Sequence, residues 1–503
     1  MIFLKHSPIV KSALILTGGN IFLRLTGMLF QIFLSRRIGA DSLGLLQLVS
    51  TVSIFAAAVG CSGAKVASMV LTAEEYGRKR LCAIRRTVHA CLIYGLCVSL
   101  LAGAGLLALS RRIAGGWIGS FDTLDSVRMV AVFLPFTCGS MIMAGYFTAC
   151  GKVRQLVLIE ITERAVCLGL TFLLLLLWAK NDTGRVLSSI TLGSSVGCAV
   201  DFFVLYGIFL RNTRNYEKPS APLHVFLRLR KLCIPLALND YLRHSLAALE
   251  QFLIPFGLKR YGAGYRAAMS AYGTIHGMVF PLLMFPAVLL QSLGELLVPT
   301  LARKKAENQF DGIRRLCRKC LRACLLFTLA IAGFFTCTAR PLGTLIYKSD
   351  LAGKGLLIFA PMLLMLYMDA ITDGMLKGLY EQLACVRYNT LTNLLEVILL
   401  LALLPVWGIT GYCVSFFVTH LLNFFLSIRR LCRVTDFQID PAYCRSAFCC
   451  AFVAVAAAML VPLSKTPAVL QLLLRGSLFF AVWTLGLSGT GRFPETAKRA
   501  LRL

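Results

Sequence analysis

The residues of this 503-residue chain best placed to do chemistry are charged side chains set inside apolar runs. Arg24, Lys65, Glu160, Glu163, Arg164, Asp201, Asp240, Arg243, Glu250, Asp369, Asp373 and Glu396 all lie in such surroundings. An ionised group at the centre of a bilayer costs about 2.5–3.5 kcal/mol even on lenient insertion scales. Facing lipid, the set would cost tens of kcal/mol, so these groups must line a hydrated cavity or pair with one another.

Two of them recur in a motif, Asn20-Ile-Phe-Leu-Arg24 and Asn239-Asp-Tyr-Leu-Arg243. A guanidinium is a planar fork that binds phosphate oxygens bidentately. Two such groups on opposite walls of one cavity repel unless an anion lies between them. Arg24 and Arg243, with Asn20 and Asn239, are therefore candidate contacts to a pyrophosphate-linked substrate. The competing reading neutralises each arginine locally, Arg243 by Asp240 for example. Glu163 and Glu396 divide evenly between pairing and contact with substrate or ion. Asp369, Asp373 and Lys377, spaced i, i+4, i+8, read first as a salt-bridge ladder. Their second reading is a coupling-ion site, for which Asp240 is a further candidate.

Other chemistries lack a signal. The stretch from Gly145 to Lys152 has one residue too many for a P-loop, and Val153 stands where Ser or Thr belongs. Gly262-Ala-Gly264 lies in a turn rather than between a strand and a helix, against a dinucleotide site. Cys317, Cys320 and Cys324 share a helical face, but no His completes a zinc set. No cofactor, no metal and no enzyme activity are expected.

The elements carrying these residues follow from composition. Hydrophobic residues make up 58% and charged residues 15%, with mean hydropathy +0.76, against about 45–50% and 25% in soluble domains. Apolar segments near 20 residues recur, each long enough to cross roughly 30 Å of hydrocarbon. The fold class is thus an all-α polytopic membrane protein of about fourteen spans. They fall at residues 12–35, 43–71, 88–109, 127–150, 154–179, 186–210, 232–257, 270–298, 322–339, 355–376, 388–406, 409–428, 445–462 and 468–489. The 52 Lys and Arg against 23 Asp and Glu concentrate in alternate loops, chiefly Arg78–Arg86, Arg211–Lys231 and Arg303–Arg322. That places both termini in the cytosol and makes nucleic acid an unnecessary explanation of the charge. The last loop could also grip anionic lipid headgroups.

The motif around Arg24 and Arg243 belongs to a longer repeat. Arg36-Arg-Ile-Gly-Ala40 matches Lys259-Arg-Tyr-Gly-Ala263, and Val153-Arg154, Leu158, Glu163 matches Val386-Arg387, Leu391, Glu396. Spans 4 and 10 share a mid-span proline, Pro135 and Pro361. Three matches in one order indicate duplication of six spans, hence two lobes in parallel pseudo-twofold repeat, a transporter architecture. The expected organisation is an N-lobe at 1–215, a C-lobe at 216–433 and a C-terminal helix pair at 434–503. The last pair carries little charge and suits an apolar groove for a lipid tail.

With these residues on the page, the chain resembles the oligosaccharide-lipid flippase branch of the multidrug/oligosaccharidyl-lipid/polysaccharide exporter superfamily. The resemblance is nearest to stage V sporulation protein B-like polysaccharide biosynthesis proteins, with lipid II flippases as cousins. It rests on Arg24-Leu-Thr-Gly27 with Arg37-Ile-Gly39, Gly44-Leu-Leu-Gln-Leu48, Tyr272-Gly273 through Pro286, and Leu297-Val-Pro299. Ala360-Pro361 to Lys377-Gly378 and Gly408-Ile-Thr-Gly411 extend it. The resemblance implies a flippase moving an undecaprenyl-diphosphate-linked oligosaccharide or peptidoglycan precursor across the bacterial plasma membrane by alternating access. Arg24 takes the place of a functional cavity arginine in lipid II flippases. A second arginine common in those relatives is Phe30 here. The implied partners are the lipid-linked glycan, membrane lipids and cell-envelope synthesis enzymes. The rivals are an ion-coupled small-molecule exporter on the same fold and a non-transporting scaffold of cell-envelope or spore assembly.

Overall fold

A chain whose backbone lies in hydrocarbon must satisfy its N–H and C=O groups internally, and a helix does so within one segment. The computed structural model describes residues 8–78, 80–179, 182–214, 223–461 and 466–489. It describes their side chains from residue 18 onward, except at 20, 81, 153 and 223–227. Every regular element among them is helical. The first lobe's spans lie in α1 (Pro8–Cys61), α2 (Ala64–Gly77), α3 (Leu81–Arg112), α4 (Leu124–Ala149), α5 (Val153–Leu177) and α6 (Thr183–Asn212). Then come α7 (Leu223–Arg260), α8 (Tyr265–Thr274), α9 (Phe280–Met284), α10 (Ala287–Ala306), α11 (Phe310–Tyr347), α12 (Asp350–Phe359) and α13 (Leu363–Gly378). The chain continues through α14 (Gln382–Trp407), α15 (Ile409–Thr435), α16 (Pro441–Leu460) and α17 (Ala468–Gly489).

Local chemistry sets several boundaries. Asp182, Ser349 and Asp440 cap α6, α12 and α16 by accepting hydrogen bonds from the N–H groups of Gly184, Ala352 and Tyr443 at 3.0, 3.2 and 3.1 Å. Pro441 follows at the first turn of α16, where its missing N–H costs nothing. Spans 1 and 2 form one continuous helix, α1, bent at Gly39 (φ 78°, ψ 172°). That backbone conformation is essentially reserved for glycine. Span 2 breaks again at Gly63 (φ 75°), where a Cβ would lie 3.0 Å from Leu236 Cβ and 3.1 Å from the Cys233 carbonyl.

Among the described residues ten helices are long and apolar enough to cross a membrane, or eleven when α12 and α13, bent by 55°, count as one span. The remainder of the fourteen has a physical origin. α1 holds two of the expected spans. α5 carries three charges, Glu160, Glu163 and Arg164, and α7 the polar Asn239–His244 stretch, so one is too charged and the other too polar to count as a plain apolar span.

The chain divides into two compact units: residues 1–30 with 41–255, and residues 31–40 with 256–503. This differs from the expected boundaries at 215 and 433, because the first helix of each lobe is shared out. In the second unit, Gln31 Nε2 donates to the Gly277 carbonyl at 3.1 Å. Arg36 donates through Nε to the Ile346 carbonyl at 2.6 Å and through Nη2 to that of Leu345, covering the open C-terminal carbonyls of α11. In the first unit, Tyr241 Oη donates to Ser62 Oγ at 2.7 Å, and Arg228 pairs with Glu75 at 3.2 Å and with Glu74. The first part of α7 therefore belongs with α1 and α2.

Within the first unit α4 packs against α2, α3 and α6; within the second, α13 packs against α10, α11 and α15. In span numbers, span 4 touches 2, 3 and 6, and span 10 touches 8, 9 and 12. The neighbour set is the same, moved by six, which is the packing a duplication leaves. The residues expected as a separate pair at 434–503 join the second unit. There α16 and α17 pack on α11 and on each other, with Phe479 and Trp483 buried. Their outer faces expose Phe452, Leu460, Leu473 and Leu485, as a lipid-facing pair would.

Candidate functional site

The two arginines are both exposed, Arg24 on α1 and Arg243 on α7. Both belong to the first unit, because α7 is held there as far as Pro255. This corrects the expectation of one arginine in each lobe. Local neutralisation of Arg243 by Asp240 is absent: no ion pair joins them among the described residues, and the Arg243 guanidinium lies 3.5 Å from the His244 ring instead. Asp240 is half-buried and Asn239 exposed one residue before it. The Asn20 side chain lies outside the described residues.

The first unit also gathers a carboxylate cluster. Glu160 and Glu163 on α5 and Asp201 on α6 lie within electrostatic range of one another, with Lys65 near Glu160 and Arg164 near Glu163. Ser140 Oγ on α4 donates to Asp201. The other Asp201 oxygen and Arg164 Nε are buried without a hydrogen-bond partner among the described residues. Ser140 and Asp201 were absent from the sequence-derived site. Asp201 was visible as an intramembrane charge, but its packing against α4 and α5 gave no local signal.

In the second unit the expected Asp369–Asp373–Lys377 ladder does not form. Lys377 is exposed and makes no ion pair among the described residues. Spacing permits such contacts but does not compel a long, flexible ammonium to leave water. Asn423 on α15 takes its place: its Nδ2 donates to Asp369 Oδ2 at 2.7 Å and to Asn389 Oδ1 at 2.9 Å. Asp369 Oδ1, Asp373 Oδ1, Asn423 Oδ1 and Ser427 Oγ are buried without a hydrogen-bond partner among the described residues. Several such oxygens, with no cation within ion-pair distance among the described residues, fit a small cation or a proton. Sequence reasoning missed Asn389 and Asn423 because neutral amides in apolar runs carry no distinguishing pattern.

Glu396 on α14, the repeat partner of Glu163, is 3% exposed, with one oxygen unpartnered. Thr419 of α15 is its polar neighbour. Equal spacing thus leads to unequal surroundings: Glu163 lies near Arg164, Asp201 and Glu160, whereas Glu396 lies beside the Thr419 hydroxyl. An apolar cavity of about 820 Å³ also opens in the first unit between α1, α3 and α7, walled by Val52, Phe55, Leu106 and Leu249, with Arg112 as its one charge.

The MatE family model matches residues 16–172. Stage V sporulation protein B of Bacillus subtilis (strain 168) is 20% identical over 416 residues, covering 80% of this chain and 79% of that protein. A solved lipid II flippase MurJ, in an inward closed conformation, superposes with a TM-score of 0.72 at 12% identity, covering 95% of this chain and all of that one. The chain is thus similar to proteins of the multidrug/oligosaccharidyl-lipid/polysaccharide exporter superfamily and shares their fold. A multidrug resistance MATE family transporter of the same superfamily, in an inward-facing conformation, gives a TM-score of 0.63 at 15% identity over 83% of this chain and 96% of its own. The chain's apolar helices, together with this likeness, make it a multi-pass membrane protein.

Proposed function

We propose that the chain is a flippase of the bacterial plasma membrane, with both termini cytosolic, that moves an undecaprenyl-diphosphate-linked oligosaccharide or peptidoglycan precursor outward by alternating access. Arg24 and Arg243 hold the diphosphate, and Asn239 and Glu163 contact the head group. Membrane lipids and cell-envelope synthesis enzymes are its surroundings. The observation that carries this reading is Arg243: an exposed guanidinium in a membrane-spanning helix, three residues from a carboxylate with which it does not pair. Such a cation is available to an anionic substrate and hostile to a cationic one. The likeness to the MurJ fold, over 95% of this chain and the whole of that one, supports the same reading. The test is binding of a polyprenyl-diphosphate sugar to purified protein, with a lipophilic cation as control. Arg24→Ala and Arg243→Ala should each weaken diphosphate binding about ten- to a hundredfold, the loss expected for one charge-assisted hydrogen-bonding partner. Unchanged diphosphate binding with altered cation binding would favour an exporter.

A second reading has its own support. The unpartnered oxygens of Asp369, Asp373, Asn423 and Ser427 suit an ion-coupled small-molecule exporter. They also suit a flippase driven by the same ion. Transport that requires a cation but ignores the diphosphate would single out the exporter.

A further inference from the structure

The basic start of α11 suits a cytosolic loop, yet its arginines are not equivalent. Arg314, Arg318 and Arg322 recur every four residues and so share one helical face. That face meets the segment at 435–443. Arg314 donates to Asp436 Oδ2 at 2.7 Å and to the Thr435 carbonyl at 3.1 Å. Arg322 donates to Asp440 Oδ2 at 2.8 Å and lies 4.6 Å over the Tyr443 ring. The middle rung differs. Arg318 lies 5.9 Å over the Phe437 ring and is exposed. It has no carboxylate within ion-pair distance among the described residues.

Arg318 also lines an apolar pocket of about 200 Å³ whose walls include Leu321, Leu325, Leu364, Phe424 and Phe448. The pocket opens where α11 changes character: Arg314, Arg315, Arg318, Lys319 and Arg322 precede it, and residues 323–339 carry no charge. The Arg322–Asp440 pair and Gln438 stand at the pocket's edge. A cation with no ion pair among the described residues, at the mouth of a mostly apolar slot and a basic-to-apolar boundary, matches a lipid with an anionic head. Nearby Arg315 and Lys319 raise the local anion concentration.

We propose that this pocket holds one acyl chain of an anionic membrane phospholipid, with the lipid phosphate on the Arg318 guanidinium. The site lies in the second unit, apart from Arg24 and Arg243, and does not depend on which substrate is transported.

The test uses the purified full-length chain, delipidated in detergent and titrated with phosphatidylglycerol or with phosphatidylcholine of the same chains. Bound lipid is counted by native mass spectrometry. Wild-type protein should retain phosphatidylglycerol in preference to phosphatidylcholine. Arg318→Glu should weaken phosphatidylglycerol about tenfold or more, as removal of a charge-assisted contact does, and Arg318→Lys should fall between. Arg315→Ala, off the shared face, should change little. Leu364→Trp, which fills the slot, should weaken both lipids and serves as the independent arm if an Arg318 variant folds poorly. Binding of polyprenyl-diphosphate sugar by Arg318→Glu should equal wild type, which keeps this proposal separable from the flippase reading. Equal retention of the two lipids by wild type, undiminished phosphatidylglycerol on Arg318→Glu, or complete displacement by inorganic phosphate alone would overturn it.

Discussion

Removing the Arg228 guanidinium tests whether charge holds the first part of α7 on α2. Arg228 Nη1 lies 3.2 Å from Glu75 Oε1, and its Nη2 pairs with Glu74. The Glu75 side chain is 8% exposed, whereas those of Glu74 and Arg228 are 41% and 44% exposed. The Glu74 contact, between two exposed groups, contributes about 0–1 kcal/mol. The Glu75 contact matters more, because Arg228→Ala leaves a buried carboxylate without its donor, at a cost of about 1–3 kcal/mol. Water entering the place of a half-exposed arginine holds the total toward the lower end of that range. Thermal unfolding in detergent should therefore show Arg228→Ala clearly destabilised. Adding Glu75→Gln to it should restore much of the loss, since a neutral amide is easier to bury, while adding Glu74→Gln should not. Binding of the diphosphate lipid should weaken less than in Arg243→Ala, because Arg228 only helps to place the helix that carries Arg243. Wild-type stability in Arg228→Ala, or no rescue by Glu75→Gln, would refute the reasoning.

Three further outcomes can be checked directly. Reporter fusions at residues 80, 220 and 310 should read cytosolic and those at 115 and 262 external; an internal signal at 262 would break the six-span parity of the repeat. Gly63→Ala should destabilise by about 1–2 kcal/mol through left-handed backbone strain, and by more if the Cys233 carbonyl cannot move, as read by thermal unfolding. Asp369→Asn should abolish any cation dependence of substrate counterflow in vesicles, whereas Lys377→Ala, which removes an exposed ammonium, should leave it intact. Equal loss in both would restore the salt-bridge ladder.

Helical class and the approximate position of most helices were legible along the chain, because hydropathy and helix period are local properties. Residues such as Arg24, Arg243, Asp369 and Glu396 were legible for the same reason, as charges standing out against an apolar background. Their partners were not. Sequence spacing allowed Asp240 for Arg243 and favoured Lys377 for Asp373, and neither pair forms among the described residues, because neighbouring positions on a helix surface are free to turn toward water instead.

What the sequence alone determined was therefore the inventory: where helices run and which charges stand within them. Tertiary structure decided the pairing. Asn423 reaches Asp369 from another helix, Arg36 closes the carboxyl end of α11 from more than three hundred residues away, and α7 joins the first unit at the break made by Gly63. A buried polar group is satisfied by whatever donor or acceptor packing brings within about 3 Å. That choice depends on helices crossing in space and leaves no trace in the order of residues along either one.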